Sequence, residues 1–224
     1  MCRCYYEAYD DRYRQVHKEN LMWFAQTPSQ IVLETITELG INHTDKILEL
    51  GCGEGRDAGY LMNHGYNLLA TDVSQAGIEF CKARWSEYGN HFRVFDCVQG
   101  SLDGQYDFIY AVAVVHMLVE QDDRDGFYRF IYSHLKEHGA ALICTMGDGE
   151  LERCTDVTKA FDLQERVHER SGKTLKIAST SYRAVSFETF KRELTGNGFR
   201  IRSLGLTDVQ PDYFKMMYAI VEKS

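Results

Sequence analysis

Proline is nearly absent from the 224 residues: only Pro28 and Pro211 occur. No stretch is rich in proline, glycine or serine, so nothing reads as a linker, and one domain over 1–224 is expected. No apolar run reaches the length of about 20 residues that crosses a bilayer. The longest, FIYAVAVVHMLV at 108–119, suits a buried strand and the segment after it. MCRCYYEAYDD at the N-terminus lacks the apolar centre of a signal peptide and is too acidic for a transit peptide. Positive charge is also short. Lys and Arg number 25 against 33 Asp and Glu, and they are scattered. A net charge of −8 with scattered Lys and Arg argues against a phosphate-backbone binder. Neither nucleic acid nor membrane is expected as a partner.

The seven cysteines follow no disulfide framework, and Cys52, Cys81, Cys97 and Cys144 stand in apolar segments as buried thiols do. A reduced, cytoplasmic protein is expected. Cys2 and Cys4 lack a second Cys or His pair at zinc-site spacing, so no metal is expected.

What is present is an alternation. Strand-like runs at 46–51, 67–72, 91–98, 106–114 and 140–146 are separated by helical patterns at 56–64, 74–85 and 122–136, the last stopping at Gly139. Such alternation predicts right-handed crossovers and a parallel sheet covered on both faces. A helix at 186–194 precedes two further strands, 200–206 and 215–222, joined by TDVQPDYF as an antiparallel hairpin. The expected fold is α/β, a Rossmann-like doubly wound seven-stranded sheet, mostly parallel, with an antiparallel C-terminal hairpin and helices on both faces. Residues 148–185 are polar and irregular, with one helix-like run at 159–169; they follow the fifth strand and read as a substrate-side insertion. Ahead of the first strand, 29–39 reads as a packing helix. Residues 1–28 form an aromatic region in which Tyr6, Tyr9 and Tyr13 share a helical face.

ILELGCGEGRD at 47–57 places Gly51, Gly53 and Gly55 between the first strand and its helix. Asp72 ends the second strand, at the roughly 20-residue distance of a nucleotide-binding βαβ unit. Dinucleotide sites space their last glycines as GxxG, so that a helix start can hold pyrophosphate. Here the helix starts at Arg56 and Asp57, with Glu49 and Glu54 adjacent. These acids disfavour phosphate. A ribose-bearing ligand without phosphate and with positive charge is expected, and S-adenosylmethionine meets those conditions.

ILELGCGEGRD, ATDVS and VFDC, in that order, resemble the class I S-adenosylmethionine-dependent methyltransferases, over about residues 30–223. GCGEGRDAGYLMNHGYNLLATDVS with YAVAVVHMLVE resembles the tellurite-resistance and thiopurine methyltransferase group, a likeness that fades after Gly147. FETFKRELTGNGFRI resembles the last helix and strand of many small-molecule methyltransferases. The resemblance implies that Glu49 and the backbone of Gly51, Cys52 and Gly53 surround the methionine part of the cofactor, with Arg56 at its carboxylate. It implies that Asp72 binds the ribose, Val73 lies on the adenine, Asp96 accepts from the adenine amino group, and Cys97 offers its backbone N–H. Ala111, just past the fourth strand, would accept from the ammonium. The product would be S-adenosylhomocysteine.

Other readings stand beside these. Asp72 as a helix cap, Asp96 as a solvated strand end and Arg56 as a partner of Asp57 are the plain alternatives. His116, on the carboxyl edge of the sheet, is the candidate base or a buried structural histidine. Tyr5, Tyr6, Tyr9, Tyr13 and Trp23 form a lid over the sulfonium or an ordinary packing face. Arg153, Tyr182 and Arg183 either grip an acidic acceptor or lie in solvent. The expected function is methyl transfer to a small-molecule acceptor by a monomer or homodimer. A catalytically silent binding module and a nicotinamide-dependent oxidoreductase are the rivals.

Overall fold

The structure, a computed structural model, describes residues 3–224; Cys2, weighed above as half of a metal pair, lies outside them. The strands are β1 (Ile47–Leu50), β2 (Leu68–Asp72), β3 (Phe92–Val94), β4 (Tyr106–Val112), β5 (Leu135–Met146), β6 (Arg153–Cys154), β7 (Leu163–Val167), β8 (Thr174–Ala178), β9 (Arg183–Ala184), β10 (Phe199–Val209) and β11 (Tyr213–Lys223). The helices are α1 (Ala8–Lys18), α2 (Gln30–Leu39), α3 (Arg56–Asn63), α4 (Gln75–Arg84), α5 (Gln121–His134) and α6 (Phe187–Gly196).

Seven strands form one sheet in the order β10-β11-β5-β4-β1-β2-β3. The five from β3 to β5 pair in parallel, and β11 runs antiparallel to both β5 and β10. The central strands are apolar on both faces, and their side chains alternate between two cores. Leu48, Leu50, Ile109, Ala111, Ala141 and Ile143 meet α5 and α6 through Phe127, Ile131, Phe190 and Leu194. Ile47, Phe108, Tyr110, Leu142 and Cys144 meet α2, α3 and α4 through Val32, Ile36, Leu61 and Ile78. This two-sided burial is the doubly wound architecture that the alternation of runs implies.

Three expected elements are corrected. The helix drawn over 122–136 ends at His134, and β5 begins directly at Leu135, so Gly139 is no helix stop. It sits in the strand, where a Cβ would lie 3.0 Å from the carbonyl oxygens of Tyr106 and Asp107. The third strand is only Phe92–Val94, shorter than 91–98. The helix-like run 159–169 is instead β7, paired antiparallel with β8. Its partner strand contributes Leu175 and Ile177, which pack on Val16 of α1, and this nonlocal burial overrides the helical pattern.

The segment 148–185 therefore has an architecture of its own. It folds as two small ribbons, β6–β9 and β7–β8. The second supports α1 from outside: buried Arg12 donates to the carbonyls of Ala178 and Ser179, and Gln15 Oε1 accepts from Ala178 N–H.

Candidate functional site

The parallel strands deliver their carboxyl ends to one edge of the sheet, and a cleft of about 960 Å³ opens there. β1 runs straight into the glycine turn. Gly51 and Gly53 have φ of +72° and +54°, backbone that L side chains rarely adopt. A Cβ on Gly51 would lie 2.3 Å from Val114 Cγ2, and one on Gly53 would lie 2.6 Å from the Tyr13 hydroxyl. The turn is thus pressed between the β4 exit and the N-terminal helix.

Asp72, buried at the end of β2, holds the turn. Its Oδ2 accepts from Gly53 N–H at 2.7 Å and its Oδ1 from Ser74 N–H at 2.8 Å. Ser74, not Asp72, caps α4, its Oγ accepting from Gly77 N–H, and the Asp72 carboxylate lines the cleft. Burial pushes its pKa up to about 6. Glu49 is also buried and faces the cleft, and its Oε2 has no hydrogen-bond partner. Burial, then the nearby charge of Asp57, holds its carboxyl well above the usual range.

The other acids of the motif are already engaged by distant backbone. Glu54 accepts from the N–H groups of Trp23 and Phe24 at 2.8 Å each, and His17 Nε2 lies 2.8 Å away. Asp57 accepts from Ser29 N–H at 2.6 Å and Ser29 Oγ at 2.7 Å. Asp10 of α1 reaches the start of α4, accepting from Ser74 Oγ and Ala76 N–H. Asp96 accepts from the Tyr6 hydroxyl at 3.0 Å. The N-terminal region is therefore docked over the cleft by these carboxylates.

One prediction follows from that docking. Glu54→Ala leaves two N–H groups of the 19–28 link unpaired, at a cost of about 1–3 kcal/mol. Limited proteolysis should cut this link several-fold faster in the variant than in the parent. Equal cleavage rates would show that Glu54 does not fasten the cover.

The cleft brings together Glu49, Gly51, Cys52, Gly53, Arg56, Asp72, Val73, Asp96 and Cys97 with Tyr6, Tyr9 and Tyr13. Arg56 pairs with Asp212 at 3.0 Å and lies 3.8 Å from Asp57. Other expected site residues lie elsewhere. Ala111 is not past the fourth strand but inside β4, fully buried and paired with Ile143. The apolar run continues to Val112, and Val112, Ala113 and Val114 line the cleft instead. Ala113 has φ of +60°, a strained backbone at the strand exit.

His116 does not line the cleft. It sits in the 3₁₀ turn Val115–Met117, buried, with its ring 6.1 Å from that of Tyr182. Burial, reinforced by Arg124, pushes its pKa down to about 3, so the neutral imidazole is a weak base outside the cleft lining. Its neighbours Met117 and Leu118 face the cleft in its place.

Tyr5 is a latch, not a cleft wall. Its hydroxyl donates to Asp123 and accepts from Val119 and Glu120 N–H. Trp23 packs with Tyr9, Tyr13, Val16 and Leu175 and lies 4.9 Å from the Arg12 guanidinium. Arg153 stacks on Tyr182 at 5.4 Å, and Arg183 donates to the Val119 carbonyl; none of the three lines the cleft. Sequence reasoning missed Phe24, Gln26 and Tyr213, which do. Phe24 and Gln26 stand in an irregular link and Tyr213 at a hairpin start, where no periodicity marks a buried face.

Residues 47–139 match the sequence profile of a family described as "Methyltransferase domain". A ubiquinone biosynthesis O-methyltransferase of Rickettsia conorii is 30% identical over 102 residues, 45% of this chain. The match spans about a third of that relative's length, 35%. An S-adenosylmethionine-dependent methyltransferase from Clostridium acetobutylicum superposes with a TM-score of 0.66 at 16% identity, covering 95% of this chain and 96% of its own. A 1,6-didemethyltoxoflavin-N1-methyltransferase from Burkholderia thailandensis, solved with that compound and S-adenosylhomocysteine, superposes at 0.69 with 15% identity, over 100% and 92% of the two chains. No helix among the described residues is long and apolar enough to cross a membrane. Residues 47–139 match the methyltransferase-domain family, and the seven-stranded sheet built around them has the fold of the solved S-adenosylmethionine-dependent methyltransferase from Clostridium acetobutylicum.

Proposed function

We propose that the cleft binds S-adenosylmethionine and that the chain moves its methyl group to a small-molecule acceptor, releasing S-adenosylhomocysteine. The observation that carries this reading is Asp72: a buried carboxylate at the strand end, tied to Gly53 across a turn with no room for a side chain. Ribose hydroxyls are the donors such a carboxylate accepts. The unpartnered Glu49 oxygen suits an ammonium, and the Ala113 strand exit takes the place first given to Ala111. Val73, Phe95 and Val98 offer apolar surface to a base, with Asp96 beside them. Bound, the cofactor supplies a methyl group activated by its sulfonium. The chain's residues contribute alignment and exclusion of water. A small acceptor is supported by the enclosed cleft and by the compounds named for the relatives above.

Calorimetry with S-adenosylmethionine, S-adenosylhomocysteine and NAD tests the reading, and tighter binding of NAD would defeat it. A silent binding module would take up the cofactor and release no S-adenosylhomocysteine with any phenol, amine or thiol. The pH dependence is a second check. Hydroxyl donors favour ionised Asp72, whose pKa burial has raised to about 6. Cofactor affinity should therefore be flat above about pH 7 and fall below about pH 6, approaching tenfold per pH unit. The same shift has the opposite sign for folding: this group opposes the folded state as pH rises through about 6. A dissociation constant unchanged between about pH 7.5 and about pH 5 would detach Asp72 from the ligand.

A further inference from the structure

The half of the cleft away from Asp72 and Asp96 has a chemistry of its own. In the sheet order, β2 and β3 lie on one side of β1, whereas β4, β5 and β11 lie on the other. Tyr213 begins β11, which runs antiparallel to β5, so it stands at the carboxyl edge on that second side. Its ring is 5.8 Å from that of Phe24, and Asp212 accepts from Ala25 N–H at 3.0 Å. These contacts bring Gln26 into the cleft. Both polar atoms of its amide are buried and have no hydrogen-bond partner. A buried primary amide with a free donor and a free acceptor is costly unless something fills both.

Charge narrows what that is. Among the described residues lining the cleft, the carboxylates are Glu49, Glu54, Asp57, Asp72 and Asp96, and the one cation is Arg56. Arg56 is neutralised by Asp212. An anionic acceptor would find no free cation and much repulsion, whereas a product that gains positive charge would be favoured by the carboxylates and by aromatic rings. No histidine or lysine lines the cleft among those residues, and the Cys52 and Cys97 thiols are held protonated, Cys52 first by its hydrogen bond to Cys81 and Cys97 by burial.

We propose, resting on the methyltransferase reading, that the acceptor is a flat, uncharged heteroaromatic carrying an amide edge, read by Gln26 beside the contacting Phe24 and Tyr213 rings and methylated at a ring nitrogen. The nitrogen lone pair forms the new N–CH₃ bond. The C–S bond breaks, its electron pair stays on sulfur, and the positive charge passes from sulfonium to the ring. No proton leaves, so no base is required.

Nicotinamide is the probe, because it is neutral, carries a carboxamide and has a ring nitrogen without a proton to lose. Benzoate and catechol are the anionic and proton-bearing contrasts. S-adenosylhomocysteine binding is measured first; its absence removes the methyltransferase reading itself. With that product bound, calorimetry should show nicotinamide binding to the parent protein and no benzoate binding. Gln26→Leu should weaken nicotinamide about tenfold or more while leaving S-adenosylhomocysteine affinity unchanged. Turnover of nicotinamide should give the N-methylpyridinium product. Cofactor binding without nicotinamide binding, preference for benzoate or catechol, or nicotinamide affinity indifferent to Gln26→Leu overturns the acceptor assignment and leaves the methyltransferase reading standing.

Discussion

Arg124→Met should lower the unfolding free energy by about 3–5 kcal/mol, the usual cost of stranding one member of a buried ion pair. Arg124 is fully buried and forks onto Glu193, Nε to Oε1 at 2.8 Å and Nη2 to Oε2 at 2.6 Å. Its Nη1 donates to the carbonyls of Val115 and Leu118, which close the turn whose Met117 and Leu118 face the cleft. The Tyr128 hydroxyl adds a third donor to Glu193. Removing the guanidinium leaves the buried Glu193 carboxylate hydrogen-bonded by the Tyr128 hydroxyl alone and takes the donor from the Leu118 carbonyl, while the Val115 carbonyl keeps the Leu118 N–H. The double variant Arg124→Met/Glu193→Leu should recover much of the loss, since the stranded charge goes with it. Denaturant unfolding of both variants measures this. A single-variant loss under about 1 kcal/mol would place the pair in the class of solvent-screened surface bridges and refute the account.

Asp72→Ala should weaken cofactor binding by about 1–3 kcal/mol, roughly five- to 150-fold, the scale of hydrogen bonds lost to a charged group. It should also destabilise the free protein, because Gly53 and Ser74 each lose the acceptor of a buried N–H. Asp72→Asn keeps an acceptor oxygen but not the charge, so it should fall between parent and alanine in both readouts. Calorimetry with S-adenosylhomocysteine, set beside a thermal melt, separates the two effects. Undiminished affinity in a folded Asp72→Ala protein would remove this residue from the site.

The frame and half of the cleft were readable because their signals are local. Three glycines at alternate positions demand a turn, an acid about 20 residues on belongs to the same βαβ unit, and apolar runs such as AALIC declare burial on both faces. What misled was also local. The run at 159–169 has a helical pattern, yet strand pairing with β8 beneath α1 decides its state. Gly139 resembles a helix stop, yet it serves a close approach to the carbonyls of Tyr106 and Asp107. His116 sits on the expected edge of the sheet, but a one-residue step around a 3₁₀ turn separates a cleft wall from a buried flank.

Order along the chain thus dictates the parallel frame, the turn and the acid that holds it, since each depends on neighbours within one supersecondary unit. Partners far apart in sequence decide the rest. Glu54 and Asp57 read as negative charge beside the turn until folding aims them at the N–H groups of Trp23, Phe24 and Ser29, and Asp212, a plain hairpin-link residue in the sequence, accepts from Ala25. That nonlocal docking closes the N-terminal aromatics over the cleft, holds two of its five carboxylates, Glu54 and Asp57, on backbone donors, and brings in the unpaired Gln26 amide that no sequence pattern announces.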